Sequence, residues 1–176
     1  MTQKPSPQNR LAFDNFTGDV FSLDDALISR GCRAAEESPR KRIMFPVQRS
    51  QGDVVQRLIN FLQPGTYIRP HRHPMEGASE TMIVLKGALC FQTFDEQGEV
   101  TERITLNAGS AECMADIVPG VWHNFVVIRA DTVVAEFKKG PYDAQTDKEF
   151  LLSTPEEGTK EAVELLEKWE REISSR

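Results

Sequence analysis

A chain of 176 residues, 39% of them hydrophobic, is long enough for one domain with a sizeable core. Its formal net charge of −6 disfavours nucleic acid as a partner, and no apolar run approaches the roughly 18 residues of a membrane span. Three cysteines without C-x-x-C spacing exclude a disulfide framework and point to a reducing compartment, and the polar start MTQKPSPQNR has no apolar signal region.

In chain order, residues 1–21 read as an N-terminal arm, the first ten Pro-rich, polar and expected to be loose. SLDD then opens a helix, assigned to residues 22–38 with its flanks. Ser22 is the expected N-cap, and Asp24 and Asp25 complement the helix dipole in the first turn. Leu23, Ala26, Leu27 and Ala34 keep helical spacing, so the helix runs from Leu23 to Glu37, weakened near Gly31 and ended by Ser38-Pro39. The basic run SPRKR (38–42) lacks interleaved aromatics and reads as a solvated helix end.

From residue 43 to 140 short runs rich in Val, Ile, Phe and Thr alternate with turn residues. They are VVQRLINFL (54–62), TYIRPHRHP (66–74), ETMIVL (80–85), ALCFQTF (88–94), EVTERITL (99–106), AECMADIV (111–118), VWHNFVVI (121–128) and TVVAEFKK (132–139). Eight such strands with no helix between them predict an all-β sandwich or barrel rather than a parallel sheet. Cys90, inside an apolar run, reads as a small core residue. Residues 154–174 close the chain with a helix begun by STPEEG, its apolar stripe formed by Ala162, Leu165, Leu166, Trp169 and Ile173. Trp169 is expected to pack.

Two of the three histidines stand one residue apart in PHRHPMEGASE (70–80). On an extended strand, alternate residues share a face, so Tyr67, Arg69, His71 and His73 are expected on one side and Arg72 on the other. Glu80 begins a strand face with Met82 and Val84, and His123 begins one with Phe125 and Val127. Three neutral imidazoles and one carboxylate suit one divalent transition metal, with Fe, Mn, Ni, Cu and Zn all open, and leave it with positions for water or substrate. Glu76 competes with Glu80 for the carboxylate role, and Glu80 lies at a strand start.

The residues Gly65, His71, His73, Glu80 and Gly87 in GTYIRPHRHPMEGASETMIVLKG resemble the first motif of the cupin superfamily, with a longer gap before the glutamate. Gly109, Pro119, Gly120 and His123 resemble the second motif, with altered spacing. More narrowly, SPRKR, VVQRLINFLQPGTYIRPHRHP, ETMIVLKGAL, PGVWHNFVV and EFKKGPY are similar to WbuC-like cupin fold metalloproteins over about residues 22–142. The resemblance implies a double-stranded β-helix, the cupin jelly-roll barrel, and a metal held by His71, His73, Glu80 and His123. It further implies a bacterial cytoplasmic protein associated with surface polysaccharide biosynthesis.

Around that centre, Tyr67 and Arg69 are candidates to hold a substrate carboxylate, phosphate or hydroxyl, and Tyr67 is also a candidate acid or base. Arg57 interrupts an apolar face, where it is expected to pair with Glu136 or contact substrate. Glu136, unusual in an apolar strand, is a candidate general base if it faces the cavity. Two function classes follow. One is a metal-dependent enzyme, of isomerase or dioxygenase type, acting on a sugar, nucleotide sugar or other small polar molecule through a Lewis-acid or O2-activating ion. The other is a non-catalytic module that binds such a ligand through the metal. Exposed apolar stripes and sheet edges suggest a homodimer.

Overall fold

Residues 11–175 are described by a computed structural model; the stretch 1–10, expected to be loose, lies outside them. The elements run α1 (Asp25–Glu37), β1 (Arg42–Pro46), β2 (Val55–Leu62), β3 (His71–Arg72), β4 (Glu80–Lys86), β5 (Ala88–Phe94), β6 (Val100–Asn107), β7 (Met114–Ile117), β8 (His123–Val127), β9 (Thr132–Lys139), β10 (Glu149–Phe150) and α2 (Lys160–Ser174). They form two five-stranded sheets, ordered β1-β2-β9-β4-β7 and β10-β3-β8-β5-β6, with every named strand pair antiparallel. The fold is the expected all-β jelly roll with flanking helices. Three of its strands differ from expectation. TYIRPHRHP contributes only two strand residues, and β1 and β10 come from segments without a clear alternating pattern.

Strand alternation decides what faces the interior. Leu62, Met82, Val84, Ile117 and Val134 of one sheet pack against Leu89, Phe91, Leu106, Phe125 and Val127 of the other. The intervening residues Ile59 and Phe61 of β2 and Val133 and Ala135 of β9 point outward, where α1 covers them with Cys32 and Ala35. Both faces of β2 and β9 are thus buried, which is why they read as nearly continuous apolar runs. In this register Asn60 and Glu136 share the inward side with Leu62 and Val134.

α1 starts later than predicted. Asp24, not Ser22, is the N-cap: its backbone is extended and its side chain accepts from the Leu27 amide at 2.8 Å. Asp caps as well as Ser, so the earlier serine has no advantage. Gly31 is required by the packing, since a Cβ there would sit 2.4 Å from the Phe61 ring. At the other end, Thr159 caps α2 by accepting from the Ala162 amide, so residues 154–158 precede the helix. Trp169 is buried as expected, stacked on Tyr67 with ring centroids 6.0 Å apart and close to Phe94. The basic run is not a free patch: Arg40 and Arg42 both bind Glu157 at 2.8 Å, and Arg42 also donates to the Tyr67 carbonyl.

Candidate metal centre

β3 pairs with β8 through a single register position, and the two residues facing each other there are His71 and His123. His73 follows β3 immediately, and Glu80 is the first residue of β4. All four side chains are buried, and one ligand atom from each lies within 4.8 Å of the others. His73 Nε2 is 2.7 Å from Glu80 Oε2, and His123 Nε2 is 3.5 Å from the same oxygen.

The histidine tautomers follow from their other nitrogens. His71 Nδ1 meets the Arg69 carbonyl at 3.0 Å, His123 Nδ1 meets the Val121 carbonyl at 2.8 Å, and His73 Nδ1 meets the Asp147 carbonyl. A carbonyl oxygen only accepts, so each Nδ1 carries the proton. In the neutral rings each Nε2 therefore presents a lone pair toward the cluster, beside a carboxylate. His123 Nε2 is buried with no hydrogen-bond partner. Converging lone pairs and a carboxylate in a buried cluster repel one another unless a cation lies among them, and the backbone carbonyls fix the ring orientations, as hydrogen bonds to the outer nitrogens of metal-bound histidines do. The donor set fits a divalent transition metal.

The electrostatics agree. Burial, reinforced by the charge of Lys148 and by His123, holds His71 well below its ordinary pKa, so its ring stays neutral. Burial would raise the Glu80 carboxyl, but the His123 and His73 rings set against it, with His71 behind them, outweigh burial and hold it well below the usual range. Glu80 is thus ionised, as a ligand must be. Glu76 is exposed, contributing only its backbone carbonyl to Lys139 Nζ at 2.7 Å, so it is Glu80 that joins the cluster.

The other predicted residues divide. Tyr67 is not at the centre: its hydroxyl donates to the Pro155 carbonyl at 2.8 Å, and its ring packs against Trp169. Arg69 reaches Glu156 at 3.6 Å and lies over the Phe150 ring. The shared face expected for Tyr67, Arg69, His71 and His73 fails because residues 64–70 are not a strand. Ile68 packs against the interior core, while Tyr67 belongs to the cluster under α2. From Ile68 to His71 is three residues, so the alternation resets across Arg69-Pro70, where Pro70 has no N–H for a ladder. Arg57 does not pair with Glu136. It binds Asp53 at 2.9 Å, because β2 and β9 set it opposite Phe137 and on the outer face.

Glu136 does face inward. It lines, with His71 and Glu80, a cavity of about 320 Å³. Asn60 Nδ2 donates to it at 2.8 Å. Burial, and then the charge of Glu80, raise its pKa above the ordinary carboxylate value. The same cavity contains three polar residues without an obvious sequence signal: Asn60, Asp147 and Lys148. Asn60 sat at an inward register position that the reading of β2 left unused. Asp147 and Lys148 belong to a segment beyond the last predicted strand, and nothing local shows that it folds back to form β10 beside β3.

A family described as a domain of unknown function, DUF6016, matches residues 23–106. No curated protein matches the chain. Among solved structures, oxalate oxidase in complex with the substrate analogue glycolate shares 17% identity over 76% of this chain and 74% of its own, with a TM-score of 0.49. KdgF from Halomonas sp. shares 17% identity over 61% of this chain and 86% of its own, with a TM-score of 0.47. A single-site variant of oxalate decarboxylase from B. subtilis shares 14% identity over 56% of this chain, with a TM-score of 0.45, and only 24% of that enzyme's length is spanned. These are likenesses of fold. The jelly roll and its buried His71/His73/Glu80/His123 cluster are seen in this chain's own strand order and side-chain placement.

Proposed function

We propose that this chain is a metal-dependent cupin enzyme that holds one divalent transition-metal ion through His71, His73, Glu80 and His123 and acts on a small polar molecule in the adjoining cavity. The observation that carries the reading is the convergence of four buried ligand atoms within 4.8 Å, one of them, His123 Nε2, without a partner. When bound, the ion supplies Lewis-acid polarisation or O2 activation. The protein supplies the rest. Glu136, buried in the same cavity with its pKa raised, is poised to take a proton from substrate, and Asn60 fixes the orientation of its carboxyl. A cavity of about 320 Å³ lies at the small end of ligand pockets and suits one sugar-sized molecule.

The similarity to WbuC-like cupins supports a bacterial cytoplasmic setting and a sugar or nucleotide-sugar ligand in surface polysaccharide biosynthesis. A homodimer belongs to the same proposal, supported by Val55 and Phe137, exposed at the ends of β2 and β9 beyond the residues that α1 covers. Elemental analysis of untagged protein tests the metal: about one ion per chain is expected in the wild type and none in Glu80→Ala. Trace metal in both removes the reading. Turnover of a candidate sugar, falling roughly 100-fold in Glu136→Gln at unchanged metal content, supports an enzyme; tight metal and ligand binding without turnover supports the non-catalytic module.

A further inference from the structure

The cavity beside the ligand cluster is lined by one cation, Lys148, that no carboxylate among the described residues holds in an ion pair. Lys138 Nζ is tied to Asp147 at 2.9 Å, and Arg40 and Arg42 at the cavity's edge are both bound by Glu157. Lys148 lines the same space, and among the described residues it makes no hydrogen bond and no ion pair. Its position is set by the backbone. β10 pairs Phe150 with His71 and Glu149 with Arg72, so Lys148 is one step further along, beside His73, whose ring nitrogen is held by the carbonyl of Asp147. Its charge reaches His71, where it adds to the effect of burial.

The charges in the cavity point to the missing partner. Asp147 and an ionised Glu136 offset Lys138 and Lys148 in number. Glu80 offsets only half of a divalent ion, because imidazole binds a metal as a neutral ligand. Inside the cavity one positive charge is left over, or two when Glu136 is protonated, and Arg40 and Arg42, which share Glu157, add another at its edge. A neutral sugar does not offset it. An ammonium drawn out of water is stabilised by a counter-charge placed against it, and the cavity that Lys148 lines has room for one.

We propose that the cavity selects small carboxylic acids with a hydroxyl or keto oxygen next to the carboxylate, such as sugar acids and 2-hydroxy acids, and that Lys148 binds the carboxylate. This deepens the metal-centre reading and rests on it: the oxygen beside the carboxylate is the group left to the ion. Lys148 takes the substrate-binding role that the alternation of TYIRPHRH assigned to Arg69 and Tyr67.

Calorimetric titration of the full chain, with metal content measured on the same samples, tests this. The probes are lactate, its uncharged counterpart lactamide, and inorganic phosphate. Lactate is expected to bind the metal-replete wild type at least tenfold more tightly than lactamide or phosphate. Lys148→Met is expected to lose at least tenfold in lactate affinity with unchanged metal content and unchanged lactamide binding, and Lys148→Arg to stay within about threefold of wild type. Equal lactate affinity in wild type and Lys148→Met overturns the proposal, as does preference for phosphate or absence of lactate binding to metal-replete protein. A wild type that takes up no metal fails the underlying metal-centre reading instead, and that outcome is read from the metal analysis alone.

Discussion

At the scale of single residues, the site depends on which atom of each ligand is free. The three Nδ1 atoms are committed to backbone carbonyls, so the Nε2 atoms and one carboxylate remain for an ion. Two acidic side chains near the end of PHRHPMEGASE were candidates for that carboxylate, and burial separates them. Glu80→Gln is expected to abolish metal retention, from about one ion per chain to below a tenth, whereas Glu76→Gln leaves it unchanged; elemental analysis of both variants checks this. Gly87 is a second single-residue requirement. Its φ is +79°, and an added Cβ would lie 2.3 Å from Thr132 Oγ1 and 2.9 Å from the Thr132 Cα. Thr132 is itself fixed by hydrogen bonds to Ala88 and Arg129. Gly87→Ala is therefore expected to cost about 1–3 kcal/mol, measured by urea unfolding.

At the scale of elements, the segments flanking the barrel hold its site in place. α2 presents Trp169, 2% exposed, to Tyr67 and Phe94. Trp169→Ala is expected to destabilise the fold by about 3–5 kcal/mol, while metal content in the remaining folded protein stays at the wild-type level. Just before α2, Glu157 clasps Arg40 and Arg42. Burial pushes the Glu157 carboxyl up, but the hydrogen bonds and charges of the two guanidinium groups outweigh it and leave its pKa below the ordinary carboxylate range. A lowered folded pKa contributes stability that is complete above the unfolded value, about 4.3, and is lost as pH falls below it. Glu157→Gln is thus expected to be about 1 kcal/mol less stable than wild type at pH 7, the side chains being partly exposed, and the difference should shrink toward pH 3. A pH-independent difference in unfolding free energy would show that the ion pair is not its source.

At the scale of the whole molecule, the four clustered residues span both sheets. Glu80 belongs to one sheet and His71 and His123 to the other, with His73 just beyond β3. An ion bound by all four links the sheets in the folded state alone, since the unfolded chain has no such constellation. At a free concentration 100-fold above its dissociation constant, the ion is expected to stabilise the fold by about 2.7 kcal/mol. A melting temperature that rises with added metal and falls with chelator in wild type, but is insensitive to both in Glu80→Gln, is the expected signature.

The sequence by itself determined most strands of the barrel and the closing helix stripe, and its resemblance to the cupin motifs singled out the four residues that cluster. The strands, the stripe and the shared face of His71 and His73 rest on local rules, namely alternation along a strand and helical spacing. Tertiary structure alone decided the surroundings. Whether Tyr67 and Arg69 join His71 depended on a reset of alternation at Pro70, which the backbone adopts so that β3 can pair with both β8 and β10. Arg57 turned outward and Glu136 inward because β2 and β9 are both covered on their outer face by α1. Asp147 and Lys148 reached the cavity through a two-residue pairing between segments more than seventy positions apart, and no local pattern encodes a contact whose stabilisation comes from the packing of the finished barrel.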